Sequence, residues 1–126
     1  MIFDASSLYI LLKRGNLRSL TDFTTLDLAF YEVGNALLRE LRRRLVTPES
    51  FGNTISVLGG ISELMNVESY RELDAKKVSE ISKSTSLTFY DASYLTLALT
   101  SNDILATNDD SLSDEAHKLG VRTISV

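Results

Sequence analysis

Four acidic residues, Asp4, Glu32, Asp91 and Asp109, stand where a folded chain can bring their charges together. Asp4 closes a short apolar run, Ile2-Phe3, and Asp109 lies two residues past Thr107, where a later apolar run ends. Glu32 and Asp91 fall in the first turns of two helical patterns. Carboxylates gathered at one point repel unless cations neutralise them, and hard oxygen ligands select Mg²⁺ or Mn²⁺. Such an ion lowers the pKa of an attacking water and stabilises a leaving oxygen, which is what phosphodiester hydrolysis requires.

Each acid also has a purely structural reading. Asp4 can cap the helix after it, and Thr88-Phe89-Tyr90-Asp91 has the spacing of a capping box. Asp109 and Asp110 suit the positive end of a helix dipole, and Glu32 can be a solvated helix-edge charge. Taken singly, each acid is accounted for without chemistry. Their shared end of the inferred sheet is what those readings leave over.

The elements that must position the acids are short strands alternating with helices. Ile2-Phe3 reads as a strand, followed by a helix capped by Ser6 or Ser7, running through Leu8, Leu11 and Leu12 and stopped by Gly15. A short helical piece is expected at Leu17 to Phe23. From Asp27 to Leu45 the apolar residues Ala29, Val33, Leu37, Leu41 and Leu45 recur every fourth position, the pattern of an amphipathic helix. Thr47-Pro48 opens another helix, with Phe51, Ile55, Leu58 and Ile61 expected inward. Gly52, Gly59 and Gly60 predict a break or a close backbone contact within it.

Leu64 to Val67 reads as a strand, Ala75 to Ser82 as a helix and Ser82 to Ser86 as a loop. A helix starts near Phe89, a strand spans Asp103 to Ala106, a helix spans Ser111 to Leu119, and Val121 to Val126 alternates as a last strand. This alternation predicts one α/β domain over residues 1–126, a three-layer α/β/α sandwich around a small, mainly parallel sheet. Ligands of such sheets bind beyond the carboxyl ends of the strands, where the strand order reverses.

Composition fits an ordinary globular domain: 44% hydrophobic and 24% charged residues are enough apolar material for a core. The absence of cysteine excludes disulfides, thiolate metal sites and cysteine nucleophiles, and it suits a reducing cytoplasm. No run approaches the roughly 18 apolar residues that span a bilayer, and the N-terminus lacks a signal-peptide pattern, so no membrane association is expected. A net charge of −4 argues against a protein that coats nucleic acid by bulk electrostatics.

Four segments carry a resemblance: residues 1–6 (Met-Ile-Phe-Asp-Ala-Ser), 31–37 (Tyr-Glu-Val-Gly-Asn-Ala-Leu), 87–98 (Leu-Thr-Phe-Tyr-Asp-Ala-Ser-Tyr-Leu-Thr-Leu-Ala) and 105–109 (Leu-Ala-Thr-Asn-Asp). In this order the chain resembles, from end to end, the PIN-domain nucleases, in particular the VapC-type toxin ribonucleases of archaea and bacteria. The resemblance places the family's acids on Asp4, Glu32, Asp91 and Asp109. It gives Ser6, Asn35 and Thr107 supporting positions, and leaves Asp110 as a competitor of Asp109 for the metal. It implies cleavage of single-stranded RNA with one or two Mg²⁺ or Mn²⁺ ions, a homodimer, and inhibition by a cognate antitoxin.

The dense basic cluster of the chain lies at Arg39, Arg42, Arg43 and Arg44. Glu32, Asn35, Ala36, Arg39 and Arg43 share a helix face, so Arg39 sits about 10 Å along the axis from Glu32 and can guide RNA to the acids. A solvated helix end, with Glu40 available as partner, competes with that reading. Arg14 is a second candidate phosphate contact. The lone His117 has a surface position, and Tyr90 and Tyr94 flank Asp91 either as core residues or as stacking surfaces for bases.

Rival functions are a housekeeping RNA-processing or flap-type nuclease and a catalytically inactive PIN-like binding module. A receiver-type signalling domain is disfavoured, because Leu64 to Val67 is followed by Glu68-Ser69 and no lysine ends a later strand. An Asp-x-Asp phosphatase is disfavoured by Asp4-Ala5-Ser6.

Overall fold

The computed structural model describes residues 1–18 and 20–126. Within these residues five parallel strands form one sheet: β1 (Ile2–Phe3), β2 (Thr24–Leu26), β3 (Asn66–Glu68), β4 (Leu105–Ala106) and β5 (Thr123–Ile124). Their spatial order is β3-β2-β1-β4-β5. The chain therefore starts in the middle of the sheet, builds one half, and then crosses back to build the other. The order reverses between β1 and β4, where Ile2 pairs with Leu105 and Phe3 with Ala106. Both strands end at that reversal, β1 running into Asp4 and β4 into Thr107.

Among the described residues six helices cover the sheet: α1 (Ala5–Arg14), α2 (Leu28–Arg42), α3 (Pro48–Leu64), α4 (Ala75–Ser84), α5 (Phe89–Ser101) and α6 (Asp110–Lys118). The helices α1, α2 and α3 pack on one another, while α5 packs on α4 and α6. With right-handed crossovers the first three cover one face and the last three the other. The successive residues Ile2 and Phe3 point to opposite faces and are both buried, as a sheet covered on both sides demands. The α5 helix is apolar around much of its circumference, burying every residue from Ala92 to Ala98, so Leu95→Ala should cost about 2–5 kcal/mol through the cavity it leaves.

The α/β architecture is as the sequence predicts; five details differ. Asp4, rather than Ser6 or Ser7, caps α1, accepting from the Ser7 backbone N–H, and Gly15 in the left-handed region (φ 68°) ends it. The segment Leu17 to Phe23 holds a 3₁₀ turn at Leu20–Asp22, and Ser19 lies outside the described residues. The strand β2, which the sequence pattern does not predict, comes directly after that turn. The helix α2 stops at Arg42, because Arg44 takes a left-handed conformation (φ 58°), so Leu45 lies beyond the helix and in solvent. The helix α3 runs unbroken through Gly52, Gly59 and Gly60, none of which has a close neighbour, and Ile55 lies on its exposed side. Among the described residues no helix is long and apolar enough to cross a membrane.

Candidate functional site

Asp4 is placed by covalent geometry: it is the first residue past β1 and the N-cap of α1. It is only 3% exposed, and burial of a carboxylate at this depth demands partners. It has three. Oδ1 accepts from Ser6 Oγ at 2.7 Å and from the Ser7 backbone N–H at 2.8 Å. Oδ2 accepts from Thr107 Oγ1 at 2.5 Å, a link across the strand-order reversal from β4 to β1.

The same loop is tied a second time. Asn108 N–H donates to Ser6 Oγ at 3.0 Å, and Asp109 N–H donates to Thr107 Oγ1 at 3.0 Å. Thr107, 2% exposed, therefore donates to one acid and accepts from the backbone of another. Asp109 caps α6, its Oδ1 accepting from the Leu112 N–H at 2.8 Å, while Asp110 is the first residue of that helix. The helix-terminus readings of Asp4 and Asp109 are thus true of the structure, and they coexist with a shared site. A carboxylate at a helix N-terminus is held where the dipole favours it.

Glu32 and Asp91 approach from opposite layers, on α2 and α5. Thr88 caps α5, accepting from the Asp91 N–H at 3.1 Å. Burial pushes the Asp91 carboxyl above the ordinary carboxylate range, and the charges of Asp109 and Asp4 push it further, against a hydrogen bond from Thr88. Burial likewise raises Glu32; a hydrogen bond from Tyr94 opposes this, and the charges of Asp91 and Asp4 add to it. The charges of Asp4 and Asp109 therefore reach Asp91, and those of Asp91 and Asp4 reach Glu32. Asp109, and not Asp110, is among the charges felt by Asp91.

What the sequence does not reveal is the role of Tyr94, which is a core residue and not a stacking surface. Its ring is 1% exposed in the core, and its hydroxyl donates to Glu32 Oε1 at 2.8 Å, joining α5 to α2. Burial, with the Glu32 charge and hydrogen bond behind it, raises the phenol well above its usual range, so it stays a donor. A partner 62 residues away in sequence leaves no local signal, although the apolar face of α5 did mark the ring as core.

Basic residues border this end of the molecule. Ser6, Glu32, Arg39 and Arg43 line a cavity of about 500 Å³ between α1 and α2. Glu32, Asn35 and Arg39 line its neighbour of about 330 Å³, together with Tyr31 and Tyr90. Glu40 is engaged by Lys13 at 2.6 Å and by the Tyr9 hydroxyl, so it is not the partner of Arg39 or Arg43. Arg14 ends α1 in solvent, outside both cavity walls. His117 is on the surface of α6, its Nε2 at 2.8 Å from Thr123 Oγ1.

The donor set offered at the reversal is carboxylate oxygen, which fits a hard divalent ion and not a thiolate-loving one. Among the described residues, however, no three Asp, Glu or His side chains stand close enough together to grip an ion as they lie. Like charges repel, and Asp4, Glu32 and Asp109 are each tied by a hydrogen bond to a neighbour. The acids share a neighbourhood rather than a finished coordination sphere.

No family model matches the chain. Over 91 residues it is 34% identical to Ribonuclease VapC3 of Pyrobaculum aerophilum, a stretch covering 72% of this chain and 69% of that protein. The chain belongs to the VapC ribonuclease family. The crystal structure of PAE2754 from the same organism agrees in fold, with a TM-score of 0.78 at 29% identity over 97% of this chain and 88% of that one. In this VapC-family chain the strand-order reversal, the Asp4–Thr107 link and the Tyr94–Glu32 link all lie at one end of the sheet.

Proposed function

We propose that this chain is a metal-dependent endoribonuclease that hydrolyses phosphodiester bonds of single-stranded RNA, acting as the toxin of a toxin–antitoxin pair. What supports the reading is the electrostatic reach among the acids: Asp109 and Asp4 raise Asp91, and Asp91 and Asp4 raise Glu32. Membership of the VapC ribonuclease family supplies the substrate class, and the end-to-end resemblance to PIN-domain nucleases supplies the order of the acids.

Asp4, Asp91 and Asp109 would hold Mg²⁺ or Mn²⁺, one or two ions, with Glu32 as a further ligand or as the base that orients the water. Bound there, such a cation lowers the pKa of the attacking water and offsets charge on the leaving oxygen. Ser6 and Thr107 fix Asp4 from both sides. Tyr94 occupies one oxygen of Glu32, leaving the other for ion or water. Arg39 and Arg43 supply positive charge along the cavities that share Glu32, a path for the phosphates of a strand. Asn35 borders the same path.

A homodimer, a cognate antitoxin and a cytoplasmic setting complete the proposal. Each rests on the VapC relationship. The deciding assay is ribonuclease activity of the wild type and Asp91→Asn, with and without Mg²⁺ or Mn²⁺. Cleavage by the wild type that needs the ion, reduced roughly a hundredfold or more in the variant, is expected if the ion contributes several kcal/mol to the transition state. Ion-independent cleavage, or equal activity in the variant, would refute the mechanism.

A further inference from the structure

Four aromatic rings remain in solvent beside the acids. Tyr31, Tyr70, Phe89 and Tyr90 are 78%, 61%, 44% and 56% exposed. They come from three separate elements: α2, the 3₁₀ turn at Tyr70–Glu72, and the first turn of α5. Together they line a groove of about 320 Å³ whose wall includes Leu26 and Leu73. Contiguous exposed apolar surface of this kind marks a binding surface in a soluble domain.

Three observations say what the groove takes. It is continuous with the proposed site: Tyr31 and Tyr90 also border the cavity lined by Glu32, Asn35 and Arg39, and they directly precede Glu32 and Asp91 in the chain. Its lining is mainly apolar: Ser93 Oγ is spent on the Phe89 carbonyl at 2.7 Å and Asp27 Oδ1 accepts from the Leu28 N–H at 2.8 Å, which leaves the tyrosine hydroxyls and the second Asp27 oxygen as its polar atoms. The adjoining trough carries Arg39 and then Arg43. An apolar groove set against a cationic path and beside Glu32 and Asp91 matches the alternation of base and phosphate in a single strand.

We propose that this groove is a stacking subsite for an unpaired nucleobase of the strand whose phosphate lies at the acids. It deepens the nuclease reading and rests on it. Ring stacking is tolerant of base identity, because every base has a π-face. The subsite therefore selects unpaired strands over duplex rather than one sequence over another.

The test compares binding of a short single-stranded oligoribonucleotide with binding of an abasic ribose-phosphate chain of equal length, in EDTA so that cleavage does not enter. The proteins are the wild type, Tyr31→Leu with Tyr70→Leu, and Tyr31→Phe with Tyr70→Phe. Both positions are exposed, so the fold should survive, and a thermal melt verifies it. The wild type should bind the base-bearing strand more tightly than the abasic one. The leucine pair should lose roughly 5- to 140-fold for the base-bearing strand only, the fold-change equivalent of 1–3 kcal/mol per stacked base. The phenylalanine pair should bind as the wild type does.

Equal wild-type affinity for the two strands, or leucine variants that bind unchanged, overturns the proposal. So does a leucine pair that binds RNA normally but changes the protein's sedimentation behaviour, which would make the groove a protein–protein interface. Cleavage by the wild type in Mn²⁺, measured alongside, tests the nuclease reading separately. Cleavage without any preference for bases would sink the subsite and spare the nuclease.

Discussion

Replacing Thr107 by valine removes one hydroxyl and almost nothing else, since the two side chains have nearly the same shape. That hydroxyl donates to Asp4 Oδ2 at 2.5 Å and accepts from the Asp109 N–H at 3.0 Å. Both Thr107 and Asp4 are buried, so water does not readily replace what is lost. A hydrogen bond to a charged group is worth about 1.5–3 kcal/mol and a neutral one about 0.5–1.5 kcal/mol. The expected loss is therefore roughly 2–4 kcal/mol, or about 8–16 °C in Tm for a domain of this size. Thr107→Ser keeps the hydroxyl and drops one methyl, for about 1 kcal/mol. Urea melts of the three proteins separate the terms. If valine destabilised no more than serine, the Asp4–Thr107–Asp109 link would not be holding the two strand ends together, and the reasoning would fail.

Tyr94→Phe leaves the core filled and frees Glu32; an outer partner of a metal-site ligand typically contributes about 10- to 100-fold, so ribonuclease activity should fall by that factor, alongside a stability loss of about 1.5–3 kcal/mol for the hydrogen bond to a charged group. A loss of stability with full activity would assign Tyr94 to packing alone. Asp91 is raised in the folded state by burial, Asp109 and Asp4, so the metal-free fold holds a proton there that the unfolded chain releases. The stability this gives is present below the ordinary carboxylate pKa of about 4 and is lost as pH rises through the folded value. The Tm of Asp91→Asn minus that of the wild type, both in EDTA, should accordingly grow with pH over that window; a constant or shrinking difference contradicts it. Arg39→Ala and Arg43→Ala should each lower the slope of log affinity for single-stranded RNA against log salt by about 0.7, and unchanged slopes would remove both arginines from the RNA path.

Elements whose signals are local are the ones the sequence carries openly. Thr88 before α5, Gly15 after α1 and the fourfold apolar spacing of Ala29, Val33 and Leu37 each act within a turn or two of the chain. The strand β2 has only three residues, Thr24–Leu26, too few for alternation to register, and it is a strand because β1 and β3 lie on either side of it. The glycines of α3 weaken a helix intrinsically, yet Leu58 and Ile61 anchor its inner face, and tertiary burial outweighs propensity. Leu45 continues a periodic pattern past the point where Arg44 turns the backbone left-handed, which apolar spacing cannot register.

At the site the division is similar. That Asp4 and Asp109 share an end of the sheet comes from β1 ending just before Asp4 and β4 ending at Ala106, a short turn before Asp109. That Tyr94 reaches Glu32, and that Thr107 serves both Asp4 and Asp109, depends on distances between segments far apart in sequence. Exposed rings at Tyr31 and Tyr70 were equally silent, since only the fold sets them around one groove.

Mn²⁺ binding followed by titration calorimetry at neutral pH tests the central claim most directly, in the wild type, Asp91→Asn and Asp110→Asn. A shared acidic site predicts saturable binding by the wild type, with a rise in Tm that grows with the ion concentration. Asp91→Asn should lose that binding and Asp110→Asn should keep it. Wild-type protein that binds no Mn²⁺, or an Asp91→Asn variant that binds it as well as the wild type, would contradict the assignment of these four acids to one metal centre.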